Sequence, residues 1–228
     1  MDTLHVFAID RLRMLTDGEG VTTLVCSYGC PLRCAYCLNP ASWDGSPRND
    51  KVLTVEELYN ELRIDDLYFL STGGGVMFGG GEPLLNADFI AQFIEKYEDT
   101  GWKFYMETSL AVPWEQLLKV ADRIDGFFVD SKDMNKARYE KYTLGDYELF
   151  FSNLMKLKDR VGQDKITVRV PEIPDFHHGK VEADENEAIL RKYGFEHIDR
   201  FKYILPEKRK KISTAAMDNK NRLFAEGK

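Results

Sequence analysis

A chain of 228 residues, 43% hydrophobic and 30% charged, is long enough for one domain with a substantial buried core. Its 31 basic and 38 acidic side chains leave a net charge of −7, which argues against nucleic-acid binding carried by phosphate contacts. No apolar run reaches about 18 residues, and Met1-Asp2-Thr3-Leu4-His5 has neither the basic nor the apolar region of a signal peptide, so a cytoplasmic protein without a membrane span is expected.

In chain order, a strand is predicted at 22–27, where the run is apolar and β-branched. Thr54-Val55-Glu56-Glu57 reads as a capping box opening a helix that carries Leu58 and Leu62. A second strand at 75–78 precedes a helix at 86–97 with Phe89, Ile90, Phe93, Ile94 and Tyr97 on one stripe. A third strand at 103–107 is followed by a helix with Pro113 in its first turn, and a fourth strand at 126–130 by a helix at 146–157. A fifth strand at 166–170, a helix at 183–193 and a sixth strand at 201–205 complete the series. Strands alternating with helices pair in parallel through right-handed crossovers. Six units are too few for an eight-stranded closure, so the expected fold is α/β, a partial (β/α)6 barrel of parallel strands in a single domain over 1–228. Its core spans about 15–206. The tail, 207–228, holds the basic run Lys208-Arg209-Lys210-Lys211, read as a solvated face, and a candidate terminal helix.

The cysteines are informative by placement. Cys26, Cys30, Cys34 and Cys37 are crowded together, and residues 38–228 contain none. A disulfide framework would spread its thiols, whereas crowded thiols are more often ligands of a soft metal centre. Spacings of four and three let Cys30, Cys34 and Cys37 hold three irons of a [4Fe–4S] cluster and leave one iron open. Zinc is the alternative, with Cys26 the nearest fourth ligand. A thiol within the first strand also serves as core, the expected role of Cys26. A second motif, Gly73–Pro83 in numbering, is an apolar strand ending in the loop Gly79-Gly80-Gly81-Glu82, whose glycines let backbone approach a ligand closely. His177-His178 reads as a solvated loop.

The cysteine segment resembles the radical S-adenosylmethionine (radical SAM) superfamily, whose signature CxxxCxxC has an aromatic residue before the last cysteine, here Tyr36. Within it, the chain is similar to the activating enzymes of glycyl-radical enzymes, such as the pyruvate formate-lyase activating enzyme. The similarity rests on residues 17–21, 29–43 and 74–85, with shorter matches at Glu107-Thr108-Ser109, Asp130-Ser131-Lys132 and Val168-Arg169-Val170-Pro171. The resemblance implies a cluster on Cys30, Cys34 and Cys37 whose open iron takes S-adenosylmethionine. It also implies reductive cleavage to a 5′-deoxyadenosyl radical, and hydrogen abstraction from a glycine of a partner glycyl-radical enzyme. Gly80, Gly81 and Glu82 would bind the amino group of the methionine moiety. Tyr36 belongs to the same loop, Asn39 and Lys132 match residues near the nucleoside and carboxylate, and Arg169 would reach the same pocket. Glu107, Thr108 and Asp130 match a monovalent cation site (sodium or potassium). A flavodoxin or ferredoxin-type electron donor, a single cluster and a monomer are expected as well. Departures from the family pattern are Glu107 for an aspartate, Gly79 for a serine, Thr22 for an arginine and Lys208 where the pyruvate formate-lyase activator has a histidine. Two alternatives to an activase remain: a radical SAM enzyme acting on a small molecule or short peptide, and a zinc-stabilised binding module without catalysis.

Overall fold

The computed structural model describes residues 3–14, 17–43, 51–173 and 179–203. They form one sheet from β1 (Thr3–Met14), β2 (Val21–Ser27), β3 (Lys51–Thr54), β4 (Gly75–Gly80), β5 (Lys103–Thr108), β6 (Gly126–Asp130), β7 (Ile166–Glu172) and β8 (Ile198–Lys202). The helices are α1 (Val55–Leu62), α2 (Asp66–Thr72), α3 (Ala87–Tyr97), α4 (Trp114–Leu118), α5 (Lys136–Thr143), α6 (Tyr147–Val161) and α7 (Lys180–Lys192). Strand order is β3-β1-β2-β4-β5-β6-β7-β8, an open sheet and therefore a partial barrel. The six strands from β2 to β8 in that order pair in parallel, and β1 and β3 extend the edge in antiparallel fashion.

Alternation along the strands separates two faces. Val25, Val76, Phe78, Phe104, Met106, Phe127, Val129, Val168 and Val170 belong to the main core with Leu58, Phe89, Phe93, Leu154 and Leu190 of the helices. Each such buried side chain contributes about 1.5–3 kcal/mol relative to exposure. The intervening positions form a smaller inner cluster of Leu24, Cys26, Met77 and Tyr105, against which Phe7 and Phe128 pack. Cys26 is thus strand core, as its position suggests. Burial, then the nearby Glu107 carboxylate, pushes its thiol up to about 12.

The capping box at Thr54 forms. Glu57 N–H donates to Thr54 Oγ1 and Thr54 N–H donates to Glu57 Oε2. Four elements were not legible in advance. β1 alternates poorly because its register shifts at two places, and Leu12 sits at φ 56° within the second shift. β3 is a four-residue edge strand in which only Leu53 is buried. α2 and α5 are short, and α5 has only a weak apolar face. The sixth parallel strand occupies Ile198–Lys202, earlier than the expected 201–205, because its pairing with β7 begins at Val168 opposite Ile198. Residues 204–228, including the basic run, and His177-His178 lie outside the described residues.

Glycine fixes where β4 enters the sheet. A Cβ on Gly74 would lie 1.9 Å from the carbonyl oxygen of Val21, and one on Gly75 would lie 2.0 Å from that of Lys103. Gly74→Ala should therefore force β4 away from β2 and cost about 2 kcal/mol or more by overpacking. Urea unfolding of the variant measures this, and a wild-type midpoint would contradict it.

Candidate functional site

The loop after β2 carries Cys30, Cys34 and Cys37 and is anchored on both sides. Arg33 N–H and Ala35 N–H donate to the carbonyls of Thr143 and Tyr142 at the end of α5, 2.7 and 2.8 Å. Gly29 N–H donates to Ser42 O, 2.8 Å, which closes the loop on itself. The hydroxyl of Tyr203, just past β8, donates to Tyr36 O at 2.9 Å, and the two rings meet edge to face at 5.9 Å. Leu32, Cys34 and Tyr36 are buried with Ala111, Tyr142 and Ile173.

The glycine loop after β4 joins this segment through backbone. Gly81 N–H donates to Ser27 O at 2.9 Å and Glu82 N–H to Gly29 O at 2.7 Å. A Cβ on Gly80 would fall 2.6 Å from Cys26 Cα, and one on Gly81 would fall 2.1 Å from Gly29 O. Only glycine allows that approach.

Glu82 turns inward. It is fully buried and accepts four hydrogen bonds: from Thr108 Oγ1 (2.6 Å), Ser109 N–H (2.9 Å), Ser109 Oγ (2.5 Å) and Leu84 N–H (3.3 Å). Burial holds its carboxyl above the usual carboxylate pKa, against the downward pull of those bonds. The side chain thus clasps the β4 loop to the end of β5.

A cavity of about 500 Å³ opens at the C-terminal ends of the parallel strands. Its wall includes the three cysteines, Tyr36, Asn39, Gly80, Gly81, Glu107, Thr108, Asp130, Lys132 and Arg169. Of the residues that the resemblance assigns to the cofactor site, Glu82 alone is not on that wall. Nine further residues line the wall without a role read from the sequence, among them Ser109, Pro171, Asp199, Phe201 and Tyr203. Asp199 escapes notice when the last strand is placed at 201–205. Asp17, fully buried, pairs with Arg13 and Arg169, and its sequence signal was its place at the head of the 17–21 match.

The charges are paired. Lys132 Nζ lies 2.7 Å from Asp130 Oδ2. Burial works against its ammonium, but Asp130, Cys34 and Tyr36 outweigh this and hold its pKa well above the ordinary value. Lys132 also sits at φ 59°, a left-handed conformation costly for a side chain with a Cβ and typical of functional strain. Arg169 Nη1 lies 2.8 Å from Glu107 Oε1, and Nη2 lies 3.2 Å from Asp17 Oδ1. Burial first, and Asp130 second, raise the Glu107 carboxyl pKa despite Arg169.

The donor set fits an iron–sulfur cluster. Three thiols from one loop line one cavity, and Asn39 N–H donates to Cys37 Sγ at 3.3 Å. Burial pushes Cys30 up to about 11 and Cys34 to about 12, and a bound cation would favour their thiolates. Among the described residues no three Cys, His, Asp or Glu side chains converge on a single metal ion.

The profile of the Radical SAM superfamily matches residues 24–200. The chain belongs to the radical SAM superfamily. It is 31% identical to the (2S)-3-sulfopropanediol dehydratase activating enzyme of Klebsiella oxytoca, in a match covering 83% of this chain and 78% of that one. It is 33% identical to the pyruvate formate-lyase-activating enzyme of Clostridium pasteurianum, covering 73% and 68%. The crystal structure of QueE from Escherichia coli shares the fold at a TM-score of 0.54 and 15% identity, covering 96% of this chain and 91% of that one. The protein is therefore a radical SAM enzyme homologous to activating enzymes of glycyl-radical enzymes, and the zinc-module alternative gives way. No helix among the described residues is long and apolar enough to cross a membrane.

Glu82→Gln tests the clasp. An amide NH2 would face donors it cannot accept from, so unfolding free energy should fall by about 2–4 kcal/mol in urea titration. A loss within about 0.5 kcal/mol would show that the four bonds carry little.

Proposed function

We propose that this radical SAM enzyme activates a glycyl-radical enzyme by abstracting hydrogen from a backbone glycine of that partner. One observation carries the reading: the cysteine loop, the glycine loop and the Lys132–Asp130 pair share one cavity at the C-terminal strand ends. That is the face on which parallel barrels place their chemistry. The identities of 31% and 33% to activating enzymes supply the substrate class.

Cys30, Cys34 and Cys37 would hold a [4Fe–4S] cluster, with S-adenosylmethionine bound beside it. Bound there and given one electron, this pair supplies a 5′-deoxyadenosyl radical. The chain's own part is orientation and exclusion of water. Gly80 and Gly81 offer backbone to the amino group of the methionine moiety, and the Glu82 side chain acts behind them as a brace. Lys132 pairs with the free carboxylate, and Asp130 steadies the ammonium. Asn39 and Tyr36 also line the cavity, and Asn39 would border the nucleoside. The reductant would be a flavodoxin or ferredoxin-type protein, and the enzyme a monomeric single domain.

The decisive experiment mixes the anaerobically reduced protein and S-adenosylmethionine with candidate glycyl-radical enzymes and records electron paramagnetic resonance spectra. A doublet-type glycyl radical on the partner is expected, and Cys30→Ala, Cys34→Ala and Cys37→Ala should each abolish it together with bound iron. Deoxyadenosine release on a small molecule or short peptide, with no partner radical, would instead favour that second substrate class.

A further inference from the structure

The three residues matched to a monovalent cation site do not fit one. Asp130 is engaged by Lys132 at 2.7 Å and Glu107 by Arg169 at 2.8 Å. The Thr108 hydroxyl donates to Glu82 at 2.6 Å and accepts from Leu110 N–H at 2.9 Å. Arg169 meets three carboxylates, those of Glu107, Asp17 (3.2 Å) and Asp199 (3.7 Å), with only 10% of its side chain exposed.

The residue types explain the contact. Glu107 is on β5 and Arg169 on β7, with β6 between them, a gap of about 10 Å. Arg169 crosses it over the ring of Phe128, its Cζ 4.9 Å from the ring centroid, and Glu107 reaches to meet it. An aspartate at 107 would fall one methylene short. An alkali cation seated here would have to displace the guanidinium from Glu107 or lie beside a like charge that never deprotonates.

We propose that Arg169 is a built-in replacement for the mobile cation, so that the site takes S-adenosylmethionine without any alkali metal. The inference rests on the S-adenosylmethionine site proposed above. Arg169 then acts by position: it pairs with Glu107 and shares Asp17 with Arg13, and Lys132, beside Asp130, meets the incoming carboxylate.

The test measures thermal midpoint and S-adenosylmethionine affinity of the anaerobically purified protein in potassium, sodium and choline chloride at equal ionic strength. The midpoint should agree within about 1 °C and the affinity within about twofold across the three salts. A rise of several degrees, or binding about tenfold tighter, in either alkali salt overturns the proposal. Arg169→Met should acquire that alkali dependence, because its carboxylates lose their partner; a folded variant indifferent to the salt would also overturn the proposal. If the variant does not fold, the wild-type comparison decides alone. Failure to bind S-adenosylmethionine in every salt would count against the proposed function, and the midpoints would still decide whether an alkali ion binds.

Discussion

The molecule depends on one close approach of backbone to backbone. β2 and β4 run side by side, and at the end of the pair Gly80 and Gly81 lie against Cys26 and Gly29 where no Cβ can stand. The bonds from Gly81 N–H to Ser27 O and from Glu82 N–H to Gly29 O then lock the glycine loop to the start of the cysteine loop. Two motifs more than forty residues apart are thereby held in a fixed relation before any cofactor binds. Preorganisation of this kind places the cost of order in folding rather than in binding. Glu82 completes the joint from behind by accepting bonds from β5 and the turn after it.

The second constraint is electrostatic. Aspartate, glutamate, arginine and lysine side chains enter a barrel interior that also holds the apolar cluster of Leu24, Cys26, Met77 and Tyr105. Charges taken from water are tolerable only when paired with good geometry. The pairs Lys132–Asp130, Arg169–Glu107 and Arg169–Asp17 meet that condition. Their arrangement also has a direction, with cationic groups of β7 and of the turn after β6 facing the cavity that carries the thiols. A ligand with a free carboxylate and a sulfonium finds both an ammonium and a carboxylate there. The charge network thus links the sheet's alternation to recognition.

Much of this was legible in the residues, and the failures have physical causes. The parallel strands followed from apolar runs separated by helical stripes, the cysteine loop from its spacing, and the role of the glycine loop from the family resemblance. β1 was hidden because register shifts break its period and Asp10, Arg11 and Arg13 take three of its last five positions. The last strand falls late in the sequence reading because 201–205 is the denser apolar run, whereas pairing with β7 starts at the isolated Ile198. That placement concealed Asp199. The Glu82 side chain was assigned to the pocket because a motif gives position and not rotamer; its partners Thr108 and Ser109 come from another strand. The Arg169–Glu107 pair likewise depends on a contact across β6 that no local pattern encodes.

The central claim is that Cys30, Cys34 and Cys37 hold a cluster whose remaining iron is open to S-adenosylmethionine. Mössbauer spectroscopy of the protein reconstituted with iron-57, recorded before and after S-adenosylmethionine is added, tests it most directly. The account predicts a [4Fe–4S] spectrum in which one iron site alone changes on addition, marking ligation at the site without a cysteine. A spectrum unchanged by S-adenosylmethionine, or one without a four-iron cluster, would contradict it.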